Sequence, residues 1–366
     1  MATVATNVPD IIQVGPGLSV RGGVSTVERL IYDYVGAKLT VRHVTTMEDG
    51  PLPMKLWVFF KAVRELRVAL ADPQPFVVHI HLASRGSTLR KTILAWMTLR
   101  AHRPLVVHAH GSTFDEFFDT LPKFVQRTFS RTFSRADRFV VLSSQWRDFY
   151  VNRCGLPRER VAVLINPTPL PPVLPDRSAR ECVQFVFLGR IGARKGPFDL
   201  LRAFRALPPA VRERARLVFA GDGEVEALRR AARDLGSAVT VHSWLDRAQL
   251  AALLAASDAF VLPSYHEGVP MALLEAMAHG LPVIATPVGG IPDAMTANVE
   301  GILVVPGDES ALTGALRRLI EDESLRLEMG RAARLRAEGF DVTGYTQRLL
   351  HIYRQLLTDG AMRTSS

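Results

Sequence analysis

The sequence predicts an α/β protein built from two Rossmann-like, doubly wound parallel-sheet domains, on three observations. Short β-branched apolar runs alternate with helical periodicity along the whole chain, the pattern of successive βαβ units. These runs number about six on either side of residues 166–175, which contain five prolines. A chain of 366 residues exceeds one ordinary core and suits two.

Taken in order, the first half reads as strands at 10–14, 39–44, 76–80, 104–108, 138–142 and 161–165. The second half reads as strands at 183–188, 216–220, 238–242, 259–262, 282–286 and 301–305. The proline cluster is incompatible with a helix interior or a central strand. It divides the chain into an N-terminal domain over 1–168, a linker over 169–180 and a C-terminal domain over 181–342. A final helix at 343–358 is expected to cross back to the first domain, with the tail 359–366 frayed.

Composition narrows the class further. The N-terminus lacks a basic stretch followed by an apolar core, and no apolar run approaches the ~20 residues that span a bilayer. Two isolated cysteines, Cys154 and Cys182, support neither a disulfide framework nor a thiolate metal site. A cytoplasmic protein is therefore expected. The formal charge of +9 is uneven: residues 1–180 hold 24 Lys+Arg against 14 Asp+Glu, and residues 181–366 hold 21 against 22. The basic half predicts an anionic partner such as a membrane surface or a lipid diphosphate. Three stretches in that half, 54–70, 87–103 and 124–138, mix apolar and basic residues as interfacial helices do, which suggests peripheral attachment to the cytoplasmic face of a membrane.

In open parallel sheets, ligands bind beyond the carboxyl ends of the strands, so the residues following each strand carry the chemistry. After the first strand, Gly22 and Gly23 lead into a helix and allow backbone N–H groups to approach a phosphate. After the strand at 183–188 come Arg190 and Lys195, with Pro197 placed to open a helix. Guanidinium, ammonium and helix dipole together suit a diphosphate. After the strand at 259–262, Glu267 lies in a loop, Gly268, Val269, Pro270 and Met271 form a helix mouth, and Glu275 sits in its second turn among apolar neighbours. A carboxylate there calls for strong donors such as ribose hydroxyls. Arg85, Arg90 and Lys91, just after the third strand, are candidate contacts for an acceptor phosphate.

These segments together carry a family resemblance. Gly22-Gly23-Val24, Gly189-Arg190 with Lys195-Gly196, Ala220-Gly221-Asp222-Gly223, Glu267 with Glu275, and the run 285–293 resemble family 4 glycosyltransferases of the GT-B fold. The resemblance implies two domains facing a central cleft. It implies that Arg190 and Lys195 hold a donor diphosphate, that Glu275 binds the ribose and that Glu267 contacts the donor hexose near the reacting carbon. Gly22 and Gly23 would close over the phosphates, and His110 would touch the sugar and reaction centre, which makes His110 and Glu267 the catalytic candidates. It further implies retention of anomeric configuration by front-face attack, with no protein nucleophile, no essential metal and no cofactor beyond the nucleotide sugar. Val269-Pro270 stands where many relatives have Phe-Gly, at the place where the hexose would be read, and Asp293 replaces a more frequent Glu.

Other classes account for less of the sequence. Two His-x-His pairs, His79/His81 and His108/His110, follow apolar strands as ligand pairs do in metal-dependent hydrolases, but neither half supplies an obvious set of additional carboxylate ligands. A basic nucleic-acid-binding protein would leave the Arg190–Lys195 and Glu267–Glu275 sets unexplained. A GT-B sugar-nucleotide epimerase would share the scaffold without an acceptor. The expected function is transfer of a hexose from a UDP- or GDP-sugar to a lipid-linked saccharide or glycolipid in polysaccharide assembly, at an anionic membrane and without nucleic acid.

Overall fold

The computed structural model describes residues 10–364, with side-chain surroundings through 358; residues 1–9, where no secretion signal is expected, lie outside the described residues. The first unit comprises Met1–Pro167 and Val342–Ser366, and the second Thr168–Asp341.

In the first unit, β1 (Ile11–Gly15), β2 (Val41–Thr45), β3 (Val77–Leu82), β4 (Leu105–Ala109), β5 (Arg138–Val141) and β6 (Val161–Val163) form one sheet in the order β2-β1-β3-β4-β5-β6. All its pairings are parallel. β1, β3 and β4 are buried along their length, which is why they read as continuous apolar runs rather than alternating ones. Phe114, Phe118, Phe129, Phe133, Phe139 and Tyr150 fill one end of this core as a set of edge-to-face and tilted ring contacts.

The second unit has β7 (Val183–Leu188), β8 (Ala215–Ala220), β9 (Val239–His242), β10 (Ala259–Leu262), β11 (Val283–Ala285) and β12 (Gly301–Leu303), in the order β12-β11-β10-β7-β8-β9. Again every pairing is parallel. Read from the other edge, this is the dinucleotide-fold order 3-2-1-4-5-6. In each sheet the chain starts in the middle and reverses direction once, between β1 and β3 in the first and between β7 and β10 in the second.

Two features depart from the segment boundaries expected from sequence. Residues 169–180, expected as a linker, belong to the second unit. Arg177 is buried there, its Nε donating to the Ser257 carbonyl at 2.7 Å and its Nη2 to that of Leu254 at 3.2 Å. Those carbonyls end the Arg247–Ala256 helix, whose negative dipole end the guanidinium caps. The proline-rich composition blocks regular structure but does not prevent packing. The closing helix, Val342–Thr364, is also longer than expected, running through most of the tail; residues 365–366 lie outside the described residues. Its Tyr345, Leu349 and Tyr353 are buried in the first unit.

Arg177→Ala should leave two carbonyls at a buried helix end without their donor. We expect a loss of about 2–4 kcal/mol in urea-unfolding stability; a change within experimental error would show that the proline-rich segment is not anchored through this side chain.

Candidate active site

The strand-order reversal in the second sheet forces the loops after β7 and β10 to leave in opposite directions, opening a crevice at their carboxyl ends. The loop after β7 turns through a short 3₁₀ segment, Ala193–Lys195, and then through Gly196 in the left-handed region (φ 67°). A Cβ at Gly196 would lie 2.3 Å from the Pro263 carbonyl oxygen, so only glycine lets this loop approach the one after β10.

That approach delivers Lys195 to Glu267. The ammonium and Glu267 Oε1 form a short ion pair, both side chains largely buried. Ser264 Oγ donates to the same oxygen at 2.7 Å, and Arg194 Nη1 stands 3.9 Å from Oε2 while donating to the His266 carbonyl at 2.8 Å. Ser264 is itself held through its carbonyl, which accepts from Thr286 Oγ1 at 2.5 Å. From β11, Gly289 comes so close that a Cβ would meet the Glu267 carbonyl oxygen at 1.8 Å, and the Gly290 N–H donates to the Gly268 carbonyl at 2.6 Å. Glu267 is thus fixed from three loops at once.

Gly268, Val269 and Pro270 lead from this carboxylate into the Met271–Ala278 helix, with Pro270 capping it. Glu275 lies on that helix, and burial raises its carboxyl to about 7 against a small opposing effect of Arg247. Arg190 is different: its side chain is 71% exposed, with Nη1 4.0 Å from Asp222 Oδ2. Its loop is held in place by the Ile191 N–H donating to Asp222 O at 2.7 Å, and by Gly221, where a Cβ would strike Gly189 O at 1.8 Å. The structure therefore brings Lys195, Glu267 and the helix mouth together and leaves Arg190 exposed, beside Asp222.

In the first unit, the candidates follow β1, β3 and β4. Gly22 (φ 148°) is the N-cap of the Gly23–Gly36 helix, and a Cβ there would meet nothing within 4 Å. Arg85, exposed and at φ 60°, precedes the Gly86–Arg100 helix, a strained position for a non-glycine residue. Arg90 is half-buried beside Gly86. His110 follows β4; its Nε2 lies 2.9 Å from His81 Nδ1, and burial lowers its imidazole to about 3.

Lys91 is a correction. Expected at an acceptor phosphate, it is instead buried, donating to Val14 O at 3.1 Å and Thr46 Oγ1 at 2.7 Å, with burial pushing its ammonium down to about 7. At helical spacing it falls on the inward face of the Gly86–Arg100 helix with Thr88, Leu94 and Ala95. Its charge faces the interior, where Glu28, also buried, has a carboxyl raised by desolvation and paired with His43 Nε2 at 3.2 Å.

Sequence reasoning missed Arg194, Ser264 and Thr286, which hold Glu267, and Glu28 and His43 in the first unit. The glycine pair 289–290 was a visible signal of close approach, but the backbone it approaches lies 22 residues away in sequence. Glu28 was hidden inside an ordinary amphipathic helix; only the glycine at Gly15, where a Cβ would collide with the Glu28 carboxylate at 1.9 Å, marks its position.

Residues 178–336 match the family model described as glycosyl transferases group 1, and residues 21–167 match the glycosyl transferase 4-like domain. A D-inositol 3-phosphate glycosyltransferase of Corynebacterium jeikeium is 34% identical over 179 residues, 46% of this chain and 43% of that protein. The D-inositol 3-phosphate glycosyltransferase 1 of Catenulispora acidiphila is 31% identical over 254 residues, 64% of this chain and 61% of its own. The matched stretches thus span less than two thirds of these curated relatives. Among solved structures, Anabaena Alr3699/HepE in complex with UDP superposes with a TM-score of 0.73 at 20% identity, covering 94% of this chain and 100% of that one. Sucrose-phosphate synthase from Thermosynechococcus elongatus superposes at 0.76 and 21% identity, covering 96% and 100%. The structural matches establish the GT-B fold.

Because the Glu275 carboxyl titrates near 7 in the folded chain and near 4.5 unfolded, the folded state binds more protons between these values. Stability should therefore fall as pH rises from about 4.5 to 7, by up to about 3 kcal/mol. Glu275→Gln should flatten this slope, and an unchanged pH profile of unfolding would refute the assignment.

Proposed function

The chain belongs to the family 4 glycosyltransferases of the GT-B fold, and from that premise we propose that it moves a hexose from a UDP- or GDP-sugar to a lipid-linked saccharide or glycolipid. The observation that carries the reading is the convergence of Lys195, Arg194 and the Met271 helix mouth on the Glu267 loop at the second sheet's strand-order reversal. In this reading the Lys195 ammonium, with N–H donors beyond the one given to Glu267, and the exposed guanidinium of Arg190 neutralise the departing diphosphate. The carboxylate of Glu275 accepts from ribose hydroxyls, which relieves the cost of its burial. Glu267 holds the hexose, and its triple anchoring suits it to a positioning task that tolerates little movement. His110 contacts the donor sugar, and the leaving diphosphate helps take the acceptor's proton, with retention of configuration. Gly22 and Gly23 offer backbone N–H groups to the phosphates.

UDP is the favoured base because Alr3699/HepE has been solved with UDP and with UDP-glucose. The alternative scaffold-sharing activity, sugar-nucleotide epimerisation, would release an isomerised donor without transfer.

Membrane attachment is proposed on the outward faces of two packed helices. The Leu52–Leu70 helix buries Val58, Ala62 and Leu66 and turns Leu56, Trp57 and Phe60 to solvent. The Gly86–Arg100 helix likewise exposes Leu89 and Trp96. Lys61 lies over the Trp57 ring and Arg100 over Trp96, so the aromatic residues sit among cations, the composition of an interfacial surface. Among the described residues, no helix is long and apolar enough to cross a membrane.

A thermal-shift screen should show a rise of about 5–10 °C with saturating UDP-sugar or GDP-sugar, and product formation should drop about 100-fold or more in Lys195→Ala. No shift with any sugar nucleotide, or near-normal turnover in that variant, would overturn the donor site. The double variant Trp57→Ser, Phe60→Ser should lose most of its partitioning onto vesicles containing phosphatidylglycerol while keeping its melting temperature. Undiminished partitioning would count against this surface.

A further inference from the structure

The first unit contains a buried polar layer, adjoining His110, whose other members have no part in the proposed transfer. His79 and His81 stand two apart on β3 and so share one face of the sheet, and His108 on β4 is in direct register with His81. Beneath the same layer, Gln13 on β1 is in register with His79. All four side chains are between 0% and 1% exposed. The layer is roofed by the Val342–Thr364 helix, whose Tyr353 hydroxyl lies 2.6 Å from His79 Nδ1.

Bookkeeping of ring nitrogens shows what is left over. His79 Nδ1 is engaged with Tyr353 and His81 Nδ1 with His110 Nε2. His79 Nε2, His81 Nε2 and both nitrogens of His108 are buried with no hydrogen-bond partner among the described residues. Buried polar atoms are nearly always paired, so three adjacent imidazoles with unmatched nitrogens require an explanation. If His79 and His81 each carry their proton on Nδ1, both existing hydrogen bonds are satisfied and both Nε2 lone pairs are left for a Lewis acid. Hydrogen-bonding of the distal nitrogen is the usual way a protein fixes the tautomer of a ligating histidine.

We propose that His79, His81 and His108 bind a divalent transition-metal ion of the zinc class, as a structural site that ties β3 and β4 beneath the closing helix. One ring nitrogen from each residue lies within 4.8 Å of the other two. Two bonds of about 2.0–2.1 Å at a tetrahedral angle place ligand nitrogens ~3.4 Å apart, so each nitrogen has to move inward by at most roughly 0.8 Å. Small ring rotations supply that. An all-imidazole donor set suits zinc, copper or nickel rather than magnesium or calcium, which take oxygen ligands. Three protein ligands leave a fourth position open for water. The ligand set belongs to the first unit and shares no residue with the Lys195–Glu267 cluster, so it does not alter the expectation that transfer itself needs no metal.

The test uses the full chain and Zn²⁺ or Co²⁺ as probes. Protein produced with zinc in the medium should carry about one equivalent by elemental analysis, and chelator-stripped protein refolded with Co²⁺ should show visible d–d bands without sulfur charge transfer. The double variant His81→Gln, His108→Gln should lose both signals, and His351→Gln, at an exposed position, should keep them. Folded wild type that holds no metal and gives no Co²⁺ bands overturns the proposal, the layer then being an imidazole core with bound water. Metal retained in the double variant overturns it equally. If that variant fails to fold, the wild-type spectrum decides: nitrogen-only bands support the site, and a sulfur band assigns the metal to Cys154 or Cys182.

Discussion

Everything proposed for the second unit depends on one constraint of parallel sheets: a strand order that begins in the middle must reverse once, and the loops on either side of the reversal part. β7 and β10 are neighbours across that point, so their following loops line a crevice with no side chain needed to make it. The glycines then set how closely those loops come back together. Gly196 against Pro263, Gly289 against Glu267 and Gly221 against Gly189 are backbone-to-backbone approaches that a single Cβ would forbid. Lys195 reaches Glu267 because these contacts exist.

The burial of Glu275 and the pairing of Glu267 divide two carboxylates by environment. Glu267 is compensated within the protein by an ammonium, a hydroxyl and a nearby guanidinium. For Glu275 the charge of Arg247 opposes burial, but burial is the larger influence on its proton affinity. A carboxyl group left in that state gains from a ligand that brings hydroxyl donors, whereas Glu267 gains nothing comparable in charge and is better suited to holding geometry.

In the first unit, the charged and titratable side chains fall into two populations. The exposed one, with Lys61 and Arg100 laid over tryptophans, builds a surface. The buried one, with Lys91, Glu28 and four histidines after or within β3 and β4, builds an interior polar layer whose members are all shifted toward their neutral forms by desolvation. Lys91 and Glu28 cancel in charge inside this layer, so the net basic charge of this half is carried by its other side chains.

By itself the sequence determined the fold class, the strands to within two or three residues and the loops that carry the donor candidates. Those properties depend on local periodicity and on which residues follow a strand, and both are written in consecutive positions. The GT-B fold and the family were legible for the same reason, since Gly189-Arg190, Lys195-Gly196, Glu267 and Glu275 are short-range patterns. Tertiary structure alone decided which of these residues meet. Nothing near Lys195 in sequence says that Glu267, 72 residues on, will take its ammonium, or that Arg177 in a proline-rich stretch will cap a helix 80 residues away. It also decided which face of a helix Lys91 occupies and which strands lie side by side, and so turned two separate His-x-His pairs into one buried cluster. Sheet register and packing fix such encounters, and both are properties of the assembled chain.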